Sequence, residues 1–177
     1  MFIHHRSLGL IIKKEDRGEA DQVFTVYTKD FGKLEILGKS IRKISSKLRS
    51  GADIFYLSEI EFIQGKGYKT LTDALPVEKF KNLKEDLSRL KIAYQIAEVA
   101  DDFIVGQETD ERVWNLFLKS FKKINDPKFL VENLEELYRY FLFNFLSLLG
   151  YGLKSSDFKK LKSFSKNYIS QFLRVNQ

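Results

Sequence analysis

The 177-residue sequence predicts an α+β protein, with a five-stranded β-barrel over residues 1–76 followed by an α-helical domain over residues 77–177. Three observations carry that reading. Up to Pro76, apolar and polar residues alternate at the two-residue period of strands, interrupted by glycine-containing turns. Beyond Pro76 the apolar period lengthens to that of amphipathic helices. Between the third and fourth strand-like runs, residues 39–49 carry five cations, no carboxylate and three serines.

Each strand has its own signal. Leu8, Leu10 and Ile12 alternate with Gly9, Ile11 and Lys13, as in a strand with one face well buried. The polar run Glu15 to Asp21, containing Gly18, reads as a connection. Phe24 and Val26 then alternate with Val23, Thr25 and Tyr27, which points Tyr27 away from the core face. Asp30-Phe31-Gly32 supplies the positive φ that a tight hairpin needs. Lys33 to Lys39 follows with Leu34 and Ile36 on one side. Ile54 to Gln64 forms a fourth strand, Gly65-Lys66-Gly67 turns the chain, and Tyr68 to Leu75 forms a fifth that Pro76 closes. Five short strands with a longer basic connector after the third suit a small closed barrel of the OB type, and an open antiparallel sheet is the competing architecture.

The helices follow in order. Leu83, Leu87, Leu90, Tyr94 and Ala97 fall on one stripe, with Ile96, Val99 and Phe103 beside it. Thr109 reads as the N-cap of a second helix with Val113, Phe117, Phe121 and Ile124 inward. Asp126-Pro127 reads as the start of a third, running through Leu130, Leu134, Leu137, Phe141, Phe145 and Leu148 to a stop at Gly150. Phe158, Leu161, Phe164, Tyr168 and Phe172 mark a last helix.

Composition narrows the function classes. At 44% hydrophobic the chain can bury a substantial core, and its net charge of +6 favours polyanionic partners. The excess is concentrated at 39–49 and at 154–174. The absence of cysteine excludes disulfides, thiolate zinc sites and cysteine nucleophiles. No signal-peptide pattern and no bilayer-length apolar run are visible, so a soluble cytoplasmic protein, nucleoid-associated if it binds DNA, is expected.

Catalytic constellations are missing. His4 and His5 are adjacent, and on a strand they point to opposite faces, unsuited to one metal. Glu15, Asp16, Glu19 and Asp21 stand among Lys13, Lys14 and Arg17, a pattern of surface neutralisation. The chain therefore reads as a binding protein without enzymatic turnover, metal or cofactor. Lys39, Arg42, Lys43, Lys47 and Arg49 suit phosphate contact, the sequence-independent part of nucleic-acid binding. Tyr27, Phe31, Tyr56 and Tyr68 are candidate stacking rings.

At this point a resemblance is visible. Gly18-Glu19-Ala20-Asp21, the strand Val23 to Thr28 and Phe31-Gly32-Lys33 resemble the N-terminal barrel of the RecO recombination mediators. The connector LGKSIRKISSKLRS resembles that family's basic loop at Lys39, Arg42, Lys43, Ser46, Lys47 and Arg49. Gly65-Lys66-Gly67 with Leu71-Thr72, the helix LKEDLSRLKIAYQIAEVADDF and the segment FLFNFLSLLGYG continue the likeness in order through residue 152. Two departures stand out. Ser40 and Ile44 occupy positions where relatives often carry glycine and proline, so a differently shaped loop is expected. The zinc-binding cysteine segment that many relatives carry after the Gly-Tyr is also absent.

The resemblance implies binding to single- and double-stranded DNA, with Lys33 and Tyr27 beside the loop cations as contact residues. It further implies annealing of complementary strands, and action with RecR to replace single-strand-binding protein by RecA. The acidic, aromatic-ended tail of single-strand-binding protein would dock on the helical domain, with Arg112, Lys119, Lys122 and Lys123 as candidate rim cations. Charge and barrel alone leave two alternatives open: an RNA-binding OB-fold accessory factor, and a helical protein–protein adaptor.

Overall fold

A computed structural model describes residues 3–65 and 67–154. The chain divides into two compact units, one of Met1–Phe80 with Ala100–Trp114, the other of Lys81–Val99 with Asn115–Gln177.

In the first unit, strands β1 (His4–Arg17), β2 (Asp21–Thr28), β3 (Gly32–Gly38), β4 (Leu57–Gln64) and β5 (Lys69–Glu78) close a barrel in the order β1-β2-β3-β5-β4. Closure rules out the open sheet and gives the OB-type barrel ahead of a helical region. All neighbours are antiparallel except β3 and β5, which pair in parallel at Ile36–Lys69 and Leu37–Thr70. The long β1 serves two partners: His4 to Leu10 pairs with β4, and Gly9 to Arg17 with β2. A register shift between Ile11 and Lys13 marks where it bends, and Leu10, Ile11 and Ile12 are all buried there. Phe24, Val26, Leu34, Ile36, Ile60, Phe62, Leu71 and Ala74 fill the interior. Each such large side chain contributes about 1.5–3 kcal/mol of burial.

The strand limits differ from the sequence reading in three places, each for a local reason. Glu15 to Asp21 is mostly paired strand, and only residues 18–20 turn, with Gly18 at φ 60°. Ile54 to Tyr56 is not strand, because Phe55 takes φ 61° to bury its ring. The backbone there is satisfied by β1: Phe55 N donates to Ile11 O at 2.8 Å, and Ile11 N to Tyr56 O at 3.0 Å. Pro76 does not close β5. It sits opposite Ser58 where the β4–β5 register is irregular, a position that tolerates a missing donor.

The hairpin at Asp30-Phe31-Gly32 forms as expected, with Gly32 at φ 64°. A Cβ on Gly32 would also lie 2.6 Å from the carbonyl oxygen of Glu108, because residues 100–114 cover this side of the barrel. That cover decides the fate of β2, whose residues Phe24 to Thr28 are buried without alternation.

The helices are α1 (Lys81–Glu85), α2 (Leu87–Phe103), α3 (Glu111–Asn125) and α4 (Leu134–Leu148), of which the end of α2 from Ala100 and the start of α3 to Trp114 belong to the first unit and the rest to the second. Phe117, Phe121 and Ile124 are buried as expected, and the Phe117 and Phe141 rings meet edge-on at 5.1 Å. The α2 stripe is rotated from the expected one: Leu83 of α1, Ala97 and the flanking Ile96 and Val99 are buried as expected, but Leu87 and Tyr94 are exposed, and Arg89, Ile92 and Ala93 are buried instead. Asp110 rather than Thr109 caps α3, its Oδ1 accepting from Arg112 N at 2.8 Å. Asp126-Pro127 opens a turn rather than a helix, and α4 starts at Leu134 after a single 3-10 turn. Arg89 holds that turn: its guanidinium donates to the carbonyls of Ile124, at the end of α3, and of Asp126 and Phe129, the latter two being groups that a helix begun at Asp126 would have used itself. Gly150, at φ 89°, ends α4 as expected. The helix expected from Phe158 to Phe172, with its cations, lies outside the described residues. No described helix is long and apolar enough to cross a membrane.

Candidate nucleic-acid interface

The connector from β3 to β4 is an anchored structure. Its entry is set by Ser40, at φ 51°, whose N–H donates to Asp21 Oδ1 at 2.7 Å. Arg42 N then donates to Ala20 O at 3.0 Å. Two turns follow, closed by Lys43 N to Ser40 O and Ser46 N to Lys43 O, and a 3-10 turn spans Lys47–Ser50. Ile41 and Ala52 plug into the barrel core, and Leu48 packs against it. The exit is held by Ser58 Oγ donating to Gly51 O at 2.6 Å, and a Cβ on Gly51 would run into the carbonyl of Ala74.

With Ile41 and Leu48 turned inward, Lys39, Arg42, Lys43, Lys47 and Arg49 are all exposed. Among the described residues, Arg42 makes the one acidic contact of the set, to Asp16 at 3.4 Å, and its Nη1 also reaches Gly18 O. Among the described residues, the other four make no ion pair. Arg42 and Arg49 border a cavity of about 370 Å³ together with Lys14, Gln22, Ile41, Ala52, Asp53 and Tyr56. Lys14 is paired with Asp53, and Lys79 Nζ sits 5.2 Å from the Tyr56 ring centre. Lys14, Gln22 and Lys79 are far from the connector in sequence. The β1–β2 register could have found the first two, since Lys14 pairs opposite Phe24 and Gln22 opposite Asp16 on one hairpin.

Two expected contact residues, Tyr27 and Lys33, have surroundings other than the open surface expected of them. Tyr27 is not an exposed ring: it is 2% exposed, its ring centre 6.0 Å from that of Trp114. Burial, aided by Asp110, pushes its phenol up to about 12. Alternation put Tyr27 outside the barrel correctly, but residues 100–114 cover that outer face. Lys33 is only 19% exposed at its side chain and donates to Asp101, at its carbonyl and at Oδ1 (3.2 Å). Its charge is spent locally. Of the other rings, Phe31 packs edge-on to His5 and Phe62, and Tyr56 rests partly on the core. Tyr68 keeps partial exposure, with Arg17 stacked 4.3 Å from its ring centre. Tyr68 also borders a cleft of about 570 Å³ with Lys33, Glu35, Lys69 and Gln107. His4 and His5 diverge as their strand requires: His4 Nδ1 meets Glu61 Oε1 at 2.7 Å, and His5 stacks on Phe62.

Comparison with known proteins now bears on this geometry. The family model described as recombination protein O N terminal matches residues 1–80, which contain the barrel and its basic connector. Its C-terminal counterpart matches residues 84–158. The chain belongs to the RecO family. A protein named DNA repair protein RecO from Acetivibrio thermocellus is 29% identical over 82% of this chain and 57% of its own length. The RecO of Moorella thermoacetica is 32% identical over 67% of this chain and 44% of its own. That of Heliobacterium modesticaldum is 36% identical over 55% and 36% respectively. The chain thus spans about half the length of the curated relatives it matches.

The cations expected to receive a partner's tail in this RecO-family chain have unequal surroundings. Arg112 donates through Nε and Nη2 to both oxygens of Asp110, at 3.1 and 2.7 Å, and so does not present a free charge. The same hydrogen bonds hold the Asp110 carboxyl below its usual range. Lys119, Lys122 and Lys123 are exposed on α3 at spacings that share one face, with Lys123 Nζ 4.8 Å from the Phe129 ring centre.

Proposed function

We propose that this protein is a DNA-binding recombination mediator whose barrel grips phosphates through the connector between β3 and β4. The observation that carries the proposal is the set of five exposed cations on a backbone pinned at both ends, four of them without an ionic partner among the described residues. A backbone held this way loses little further freedom when its cations meet a sugar–phosphate chain, and releasing the chain's counterions drives binding. Membership of the RecO family and relatives named for DNA repair support DNA, single- and double-stranded, as the polyanion. In this reading the protein anneals complementary strands by screening their mutual repulsion. It helps load recombinase onto strands coated by single-strand-binding protein, working with RecR, and so acts on RecA indirectly. Lys119, Lys122 and Lys123 are the remaining candidates to meet the coating protein's acidic tail.

The test is a salt titration of single-stranded DNA binding. Log affinity should fall with log salt at a slope of about −0.7 per phosphate contacted. Replacing Arg42, Lys43, Lys47 and Arg49 together by Ala should flatten the slope by up to about 3 while leaving the unfolding curve in place. An unchanged slope would remove the connector from the interface. The annealing claim is checked separately with complementary strands coated by single-strand-binding protein, where no acceleration by the wild type would refute it.

A further inference from the structure

Residues 39–49 of the connector carry three large apolar side chains, and they are used differently. Ile41 is wholly buried in the barrel core and Leu48 packs against it. Ile44 is 95% exposed. It sits at the first corner of the turn closed by Ser46 N donating to Lys43 O at 3.0 Å, so the backbone itself projects it outward. Ser45 beside it is exposed, and Lys43, Lys47 and Arg42 flank it in sequence, all exposed. An isolated exposed isoleucine is ordinary on a protein surface. One at the apex of a hydrogen-bonded turn, in a loop otherwise made of cations and hydroxyls, is the arrangement used to drive an apolar wedge between base steps while neighbouring cations hold the phosphates.

We infer that Ile44 is a base-step wedge: it enters between adjacent stacked bases of duplex DNA and unstacks them. This rests on the proposal that the loop cations grip the backbone, and it adds a specific occupant for the loop's tip. Two features of the loop suit the task. Ile41 and Leu48, three and four residues to either side, fix the base of the wedge in the core, so thrusting the tip into a stack does not cost the ordering of the loop. The β-branched side chain of Ile44 is also stiff at χ1, which keeps the wedge from folding aside. Local unstacking would serve strand pairing, because a base pair loosened at the loop is the place where an incoming complementary strand can begin to compete.

The experiment uses the full chain with a duplex containing 2-aminopurine, whose fluorescence rises when the base is unstacked. Wild type at saturation should raise the signal. Ile44→Ser should lose that rise while keeping the salt dependence of binding, and Ile44→Phe should restore it. An equal rise with Ile44→Ser, or no rise from wild type that is bound to the duplex, overturns the wedge. If instead the four-cation variant binds like wild type, the phosphate-gripping reading itself has failed, an outcome visible in the salt slope and independent of the fluorescence. Exposed as it is, Ile44 can be changed without loss of core packing, so a shifted unfolding curve in Ile44→Ser would also count against a role at the surface.

Discussion

In the helical unit, Arg89 is buried and donates to Asp126 O at 3.0 Å, Phe129 O at 2.7 Å and the carbonyl of Ile124. On the barrel, Arg49 is exposed at the end of a loop pinned by its neighbours, with no ion pair among the described residues. The side chains are identical and their surroundings are opposite. Arg89 has acceptors supplied by its own chain and organises a turn. Arg49 has donors left over for a ligand. Counting cations cannot distinguish these roles, whereas counting the oxygens within reach of each one can.

The largest effect should come from the satisfied member. Arg89→Ala leaves three carbonyls without their donor and opens a gap under the turn, and should cost about 4 kcal/mol in urea unfolding. Arg89→Lys should cost about 2 kcal/mol, because an ammonium cannot reproduce the planar fork. A variant as stable as wild type would break the contrast from this side.

A smaller effect separates two lysines of the barrel. Lys33→Ala should lower stability by about 1 kcal/mol through loss of its bonds to Asp101, and leave the salt slope of DNA binding unchanged. Lys47→Ala should do the reverse, keeping stability and reducing the slope by about 0.7. If both variants moved the slope equally, engagement by an internal acid would not be the feature that sorts these cations.

How much of this was legible in the sequence follows the same division. Barrel, strand order along the chain and the buried α3 stripe were readable because period and turn chemistry are local properties. The exposure of the connector cations is legible because nothing acidic stands between them in the sequence. The burial of Tyr27 and the pairing of Lys33 are not legible in the sequence, because strand alternation reports which side a residue occupies and is silent on what covers that side. Here residues 100–114, far away in sequence, supply Trp114 and Asp101. The exposure of Leu87 and Tyr94 departs from their apolar spacing because the buried face of α2 is centred on an arginine, Arg89, which an apolar pattern does not register. Phe55 escaped because a positive φ at a large aromatic residue has no sequence signal.

The smallest effect concerns Arg6, exposed yet engaged. Its Nη2 meets Glu61 Oε2 at 2.8 Å. Hydrogen bonds from Arg6 first, and from His4 next, lower the Glu61 carboxyl from 4.5 to about 2. The folded value is the depressed one, so the stabilisation is present above the unfolded value and is lost as pH falls through the folded one. Urea midpoints of wild type and Glu61→Gln should therefore differ by a small constant amount above about pH 5 and converge toward pH 2. A gap that widened with acid would mean Glu61 is stabilised in its protonated form.

The most direct measurement compares lysine acetylation, read by mass spectrometry, with and without saturating single-stranded DNA. Lys39, Lys43 and Lys47 should react freely in the apo protein and become protected by DNA. Lys91, exposed on α2 beside Glu135, should react alike in both states. Loop lysines that label equally with and without DNA would contradict the assignment of this connector as the surface that holds it.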